Sequence, residues 1–260
     1  MADLQGPFAP LQLQERVSRQ ARNIRIEVRP DGSVLLVIPR RVAKSVAYAF
    51  LRSREDWIRR KLFELQSRAA RAPTRTPLRW DGNDRLPLRG VETSLRVVAS
   101  RIAKPRLRFD EAITLFCAPS QLGRPALLAN TLRAALRKLA RSEARQLLDD
   151  EAARLGLDYI GPRIADQKSL WGSCTPDGLI SLNWRLLLAP PQVLRYVVVH
   201  ELCHRRHLDH SPRFWRLVEK QMPDHADWRG WLREHGAGLH TVLPKPGRQA
   251  YQPGLFDDPL

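Results

Sequence analysis

The segment Val197–His204, with the sequence VVVHELCH, constrains the fold more than any other part of the chain. His200 and His204 are four residues apart, so on a helix their rings share one face and can bind one metal ion. Glu201 lies about 100° further around the helix, close enough to contact a metal-bound water molecule. The surrounding residues are almost all apolar, which indicates a buried helix. Because burying these polar groups is costly without a partner, the pattern predicts a zinc site.

A hydrolytic zinc ion usually takes three protein ligands and leaves one position for water. The candidates for the third ligand are His207, His210, Glu219 and His225. Three ligands from one continuous helix, as with His207, would form a cramped tetrahedron. His210 precedes Ser211 and Pro212, a helix N-cap followed by proline at the first helical position, so a turn near residues 208–209 can bring His210 back to the metal. The spacing favours His210, while Glu219 would instead complete a site of two histidines and one glutamate.

Four separated motifs carry a resemblance to a known family. They are Trp171-Gly-Ser-Cys174, Ile180-Ser-Leu-Asn-Trp-Arg185, His200-Glu-Leu-Cys-His204 and His210-Ser-Pro-Arg-Phe-Trp215. Together they resemble the YgjP-like metallopeptidases, bacterial relatives of the SprT-like and WLM-type zincins, over roughly residues 19–239. The resemblance implies a peptide or protein substrate, a zinc site formed by His200, His204 and His210, and Glu201 as the general base.

Two residues near the motif depart from the family pattern. Arg205 stands where an apolar residue is expected, and Asp209 where the family usually has asparagine. Neither change removes an expected metal ligand. Asp209 places a negative charge beside the metal, where it can alter the affinity of the site.

Breaks in the periodic pattern predict an α+β protein with two domains. The two domains are a small basic α+β domain at 19–118 and a minimal zincin-like metallopeptidase domain at 126–239. An N-terminal tail at 1–18 precedes them, and a flexible C-terminal tail at 240–260 follows them. The first contains a hairpin at 24–38 and a helix starting near Ser45. The second contains a long helix over 127–155, short antiparallel strands and the His-Glu helix. Pro212–Gln221 follows as another helix.

The segment Leu179–Leu187 alternates apolar and polar residues directly before the His-Glu helix, which is typical of a strand. By resemblance to zincins, Leu179–Arg185 is a candidate edge strand that holds an extended substrate through backbone hydrogen bonds. An internal strand with one solvated face fits the pattern equally well. Trp171 and Cys174 are interpreted as packing residues, and Cys203 as a packed thiol rather than a fourth ligand.

The net charge of +17 defines the main alternative function. Most of the excess lies within residues 1–110, and such an excess attracts polyanions. We therefore expect non-specific double-stranded DNA contact through residues 19–118, unless these arginines only form a solvated surface. The alternative function is a nucleic-acid-associated binding protein with structural zinc, or a DNA-linked protease. Glu201 favours the peptidase, because a structural site needs a fourth ligand and no general base.

The two ends of the chain give weaker signals. Gln252, Leu255 and Phe256 resemble the short peptides that bacterial replication and repair proteins dock into the sliding clamp, although Pro253 departs from the usual leucine. The N-terminus lacks a basic-then-apolar signal pattern, and no apolar stretch is long enough to span a membrane. The three cysteines form no C-x-x-C pair, so we expect no disulfide framework. These features predict a cytoplasmic protein without membrane contact.

Overall fold

The structure is a computed structural model that describes residues 12–29, 32–71, 76–167 and 170–244. Contacts divide the chain into two units, with the division between residues 73 and 74. Helices and small mixed sheets make up both units, so the predicted α+β class is confirmed. No helix in the described ranges is both long and apolar enough to cross a membrane. The proposed clamp-binding residues Gln252, Leu255 and Phe256 lie outside the described residues.

The first unit consists of a three-stranded sheet and two helices. Its elements are β1 (Gln12–Ser18), β2 (Arg25–Val28), β3 (Ser33–Pro39), α1 (Lys44–Ser53) and α2 (Glu55–Arg71). Every residue of β3 is buried, because β3 lies between β1 and β2 in the sheet. The antiparallel pairing of β2 with β3 confirms the predicted hairpin. Residues 12–18 form a strand parallel to β3 rather than a tail, and the helix predicted from Ser45 is interrupted at Arg54.

The second unit contains two sheets and four helices. Its strands are β4 (Asp84–Leu88), β5 (Val91–Ala99), β6 (Arg106–Phe109), β7 (Ile113–Cys117), β8 (Ile160–Ala165), β9 (Gly172–Cys174) and β10 (Leu179–Asn183). Its helices are α3 (Pro125–Leu155), α4 (Pro191–Cys203), α5 (Pro212–Gln221) and α6 (His225–Thr241). The sheets have the strand orders β4-β5-β7-β6 and β8-β10-β9. The long helix α3 and the helix α5 match their sequence predictions, and Gly156 ends α3 in the left-handed conformation.

The division between the units differs from the domain boundary predicted after residue 118. In the turn between β4 and β5, the amides of Arg89 and Gly90 donate to the carbonyls of Leu187 and Leu188, at 2.9 and 3.0 Å. The inner face of the same sheet packs against Leu128 of α3. Strands β4 to β7 therefore belong with the half of the chain that carries the His-Glu helix. Alternating residues predict the two faces of such a sheet, but they do not show which helix covers one of them.

Helix α4 carries the His-Glu motif and is buried around most of its circumference. Its neighbour α3 turns a line of buried residues toward the core: Leu128, Leu132, Leu136, Ala140, Ala144, Leu148, Glu151 and Ala152. Glu151 accepts hydrogen bonds from Arg195 of α4, at 2.6 Å, and from Arg154, at 2.8 Å. These ion pairs lower the pKa of Glu151 although burial alone raises it, so the carboxylate that joins the two helices stays charged.

The prediction that Leu179–Arg185 is a substrate-binding edge strand is wrong. β10 is the central strand of its sheet, with β8 parallel on one side and β9 antiparallel on the other, so both of its edges are already paired. The strand also ends at Asn183, whose side-chain oxygen accepts a hydrogen bond from the Arg185 amide at 3.1 Å. This bond turns the chain into a buried 3-10 helix, Trp184–Leu188, that leads to α4.

A buried ion pair holds the chain that leads into β9. Arg185 donates to Asp166, and the two side chains are 4% and 7% exposed. Arg185 also lies over the Trp184 ring, 4.5 Å from its centre. The side-chain amide of Asn183 donates to the carbonyls of Gln167, at 2.8 Å, and Leu170, at 3.3 Å. These contacts fix residues on both sides of 168–169, immediately before the Trp171-Gly-Ser-Cys174 motif.

Helix α6 extends to Thr241, beyond the end near His235 that the sequence predicts. The extension brings His240 against Trp171, with ring centres 4.8 Å apart. Trp171 is 2% exposed, which agrees with its interpretation as a packing residue. Gly236 lies in contact with Trp171, because a Cβ added at Gly236 would be 2.9 Å from the indole ring. The residue before β9 is thus fixed by the last described helix.

Replacing Asp166 by alanine should lower the free energy of unfolding by about 3–5 kcal/mol, because it leaves the Arg185 charge buried without its carboxylate. Denaturant unfolding followed by tryptophan fluorescence measures this change. Asp158→Ala is the matched control, because Asp158 pairs with Arg205 but its side chain is 89% exposed. Equal effects of the two substitutions would show that the buried pair does not hold this region.

Candidate metal centre

Three histidines converge where α4 ends and α5 begins. His200 lies in the last turn of α4, and His204 is the C-cap residue that directly follows the helix. The amides of Arg206 and His207 donate to the Cys203 carbonyl, at 3.0 and 3.1 Å, and these bonds turn the chain out of the helix. His210 then returns to the same place before α5 begins. The ligand atoms of His200, His204 and His210 all lie within 4.8 Å of one another, and the Nε2 atoms of His200 and His210 are 3.0 Å apart.

The imidazole rings are oriented by a backbone carbonyl and by two aromatic side chains of α5. Nδ1 of His204 lies 2.9 Å from the carbonyl oxygen of His207. Because a carbonyl oxygen only accepts, Nδ1 carries the hydrogen and Nε2 keeps its lone pair for a metal. Phe214 stacks on His204 with ring centres 4.5 Å apart, and Trp215 stacks on His210 at 5.9 Å. Aromatic side chains of helix α5 therefore pack against the rings of His204 and His210 and restrict their orientation.

The structure separates the three converging histidines from the other candidates for the third ligand. Glu219 is exposed on α5, and among the described residues it belongs to no cluster of possible metal ligands. His207 contributes its backbone carbonyl to His204. His225 stacks against Trp215 with ring centres 5.9 Å apart. The turn predicted from Ser211 and Pro212 thus brings His210 back toward α4.

Burial sets the protonation of the residues around the cluster. Burial, followed by the charges of neighbouring histidines, lowers the pKa of His200 well below its usual value. Burial also lowers the pKa of His204, so both imidazoles are neutral and able to act as ligands. Burial raises the pKa of Glu201 to about 8. Cys203 is packed in the core, where burial raises its pKa to about 12 and keeps the thiol protonated.

A pocket of about 220 Å³ joins the histidines to strand β9. It is lined by Leu170, Gly172, Ser173, Cys174, His200, Glu201, His204, Leu208 and His210. The carboxylate of Glu201 lies against Gly172, where a Cβ would be 2.3 Å from Oε1. The sequence interpretation missed this role of Gly172. A glycine within a strand is the available signal, since it marks close approach of another group.

The donor set suits a transition-metal ion. Two zinc–nitrogen bonds of about 2.0–2.1 Å at a tetrahedral angle separate their nitrogen atoms by about 3.3 Å. The distance of 3.0 Å between the Nε2 atoms of His200 and His210 is close to that value. Three imidazoles with a carboxylate beside them resemble the three-ligand sets of catalytic metal sites, which keep one position open.

Comparison with known proteins identifies the family of this chain. The family model described as YgjP-like, metallopeptidase domain, matches residues 22–235. The chain belongs to the YgjP-like metallopeptidases. The crystal structure of the metallopeptidase zymogen abylysin from Pyrococcus abyssi aligns with 34% of this chain and 90% of that chain, at 26% identity and a TM-score of 0.32. No curated protein matches the chain.

Arg205 contacts the turn between β9 and β10. Its Nη1 donates to the Pro176 carbonyl at 2.8 Å, and its Nε donates to the Asp158 carbonyl at 3.1 Å. Gly178 gives the guanidinium the room it needs, since a Cβ there would be 2.9 Å from Cζ. The residue after His204 therefore links the end of α4 to the β9–β10 turn.

Gly172→Ala should lower kcat/KM for peptide hydrolysis by this YgjP-like metallopeptidase by roughly 100-fold, because the new methyl group must displace the Glu201 carboxylate or strand β9. Gly230→Ala is the control, since a Cβ at Gly230 meets nothing within 4 Å. Activity and thermal unfolding of both variants are compared with wild type. A Gly172→Ala enzyme as active as wild type would show that the close approach is unimportant.

Proposed function

We propose that this YgjP-like metallopeptidase hydrolyses peptide bonds with a zinc ion held by His200, His204 and His210, and with Glu201 as the general base. The observation that supports this most strongly is that the three histidines and Glu201 line one pocket. Family membership supplies the reaction class and the requirement for a metal. The nitrogen-only donor set favours zinc over calcium or magnesium, which prefer oxygen ligands.

Glu201 is suited to move a proton during the reaction. When bound, zinc lowers the pKa of a water molecule and polarises the scissile carbonyl. Glu201 accepts the proton of the attacking water and returns it to the leaving amine. Its burial raises its pKa to about 8, while the positive charge of a nearby cation favours its carboxylate form. The two effects shift the pKa of Glu201 in opposite directions, which suits a group that first accepts a proton and then returns it.

We further propose that β9, rather than β10, holds the substrate. β9 pairs with β10 along one edge and lies at the border of its sheet, with no further strand beside it in the described part of the chain. Gly172, Ser173 and Cys174 also line the pocket with the histidines. An extended peptide can add to this edge through backbone hydrogen bonds, which places its carbonyl groups beside the metal site.

The alternative of a purely structural zinc site has less support. A structural site closes its coordination with four protein ligands. Among the described residues, the possible metal-binding groups of three or more side chains comprise one cluster, and that cluster holds three histidines. The group beside them is the Glu201 side chain, which lines the same pocket, and its presence supports a hydrolytic site rather than a structural one.

His210→Ala should remove most of the zinc, whereas Glu219→Ala should leave about one zinc per chain, as in wild type. The reason is that His210 converges with the two α4 histidines, while Glu219 is exposed elsewhere on α5. Metal analysis of the purified variants measures the difference. Zinc loss in the Glu219 variant but not in the His210 variant would assign the third ligand to Glu219.

Glu201→Gln should keep zinc and the fold but lower peptide hydrolysis by about 10²–10⁴-fold, since it removes the general base and leaves the ligands. Hydrolysis of an unfolded protein substrate, measured with zinc content and circular dichroism, tests this expectation. Treatment with a chelator should abolish wild-type activity, and added zinc should restore it. A Glu201→Gln enzyme that hydrolyses the substrate at the wild-type rate would refute the proposed role.

A further inference from the structure

The sheet of β4 to β7 has one face in the core and an opposite face that is partly exposed, with Pro87 and Thr114 buried on it. Alternate residues of its strands point inward, where Leu95 and Leu115 are fully buried. Cys117 and Leu107 pack on the same inner side, against Leu128 of α3. The intervening residues of each strand point outward. We call these outward residues the outer sheet face: Arg85, Pro87, Glu92, Ser94, Arg96, Val98, Arg106, Arg108, Thr114 and Phe116.

The strand register arranges the outer sheet face into rows. Arg96 lies opposite Thr114, and Thr114 lies opposite Arg108. In the next row, Val98 lies opposite Phe116, and Phe116 lies opposite Arg106. The central strand β7 thus presents an aromatic ring, with arginines on β6 at one side and on β5 at the other.

Arginine is the dominant charge of this face. Arg85, Arg96, Arg106 and Arg108 are all exposed. The one acidic residue at an outward strand position is Glu92, which lies opposite Pro87 near the β4–β5 turn. Although Arg108 pairs with Asp110 at 2.6 Å, its side chain is still 66% exposed. The face therefore carries a net positive charge that is open to solvent.

The apolar part of the face lies among these charges. The guanidinium carbons of Arg106 and Arg108 lie 5.9 and 5.7 Å from the centre of the Phe116 ring. Phe116 is half-buried and the adjacent Val98 is 39% exposed, so the ring is partly accessible. Exposed Lys104, in the loop between β5 and β6, adds a further positive charge close to Arg106.

We propose that the outer sheet face binds single-stranded nucleic acid without sequence preference. Arginines on both sides of β7 can contact phosphates, and an unpaired base can stack on Phe116 or on a guanidinium plane. A duplex keeps the faces of its bases stacked inside the helix, so none of them can stack on the Phe116 ring. An acidic peptide likewise supplies charge but no flat group to cover the ring. None of these residues lines the metal-site pocket, so this inference is independent of the proposed hydrolysis.

Fluorescence anisotropy with the full chain and a labelled single-stranded oligonucleotide of about 16 nucleotides tests the proposal. At about 50 mM salt, Arg106→Ala with Arg108→Ala should weaken binding about tenfold. The slope of the logarithm of the binding constant against the logarithm of salt concentration should become shallower by about two, the loss expected for two phosphate contacts. Phe116→Leu should weaken single-strand binding about fivefold and leave binding of the matched duplex unchanged.

The control variant, Arg40→Ala with Arg41→Ala, removes the same charge from positions outside the sheet. It should change affinity by less than about twofold, and every variant should keep wild-type peptidase activity and circular dichroism. Equal weakening by the two double variants would overturn the proposal, because it would assign binding to overall charge. Absence of binding, duplex binding as tight as single-strand binding, or displacement by polyglutamate at equal charge would also overturn it.

Discussion

The buried carboxylate of Glu201 is the constraint on which the rest of the site depends. A carboxylate is costly to bury unless its surroundings are built to receive it. Here it occupies the space that a side chain at Gly172 would need. The strand that carries Gly172 is positioned in turn by the Arg185–Asp166 ion pair, by the amide of Asn183 and by packing of Trp171. Residues from several separate sequence motifs therefore hold the strand that packs against the Glu201 carboxylate.

The sequence predicted a turn that can bring His210 back toward His200 and His204, although its spacing left Glu219 open as the third ligand. Two histidines four residues apart in an apolar segment indicate a buried helix with one polar face. The N-cap and proline at Ser211 and Pro212 predict a turn and a new helix, and the structure places His210 back beside His200. These features depend on neighbours within a few residues along the chain, for which spacing alone is informative.

The positions of the strands were harder to predict, because they depend on contacts between distant segments. The alternation in Leu179–Leu187 shows two faces, but it does not show how many strands pair with the edges. The structure places β9 and β8 on the two sides of β10, and Asn183 ends the strand early. Gly172 was missed for a similar reason, since its neighbour Glu201 lies on another element.

The hydrogen bonds from the β4–β5 turn to Leu187 and Leu188 have a practical consequence for dividing the protein. A fragment that starts after residue 118 would lack the amides that satisfy these two carbonyls and the sheet that covers Leu128. Backbone carbonyls and apolar surface uncovered in this way favour aggregation over folding. The smallest piece of the chain that can keep the His-Glu helix in its native surroundings therefore has to include the four strands that precede α3.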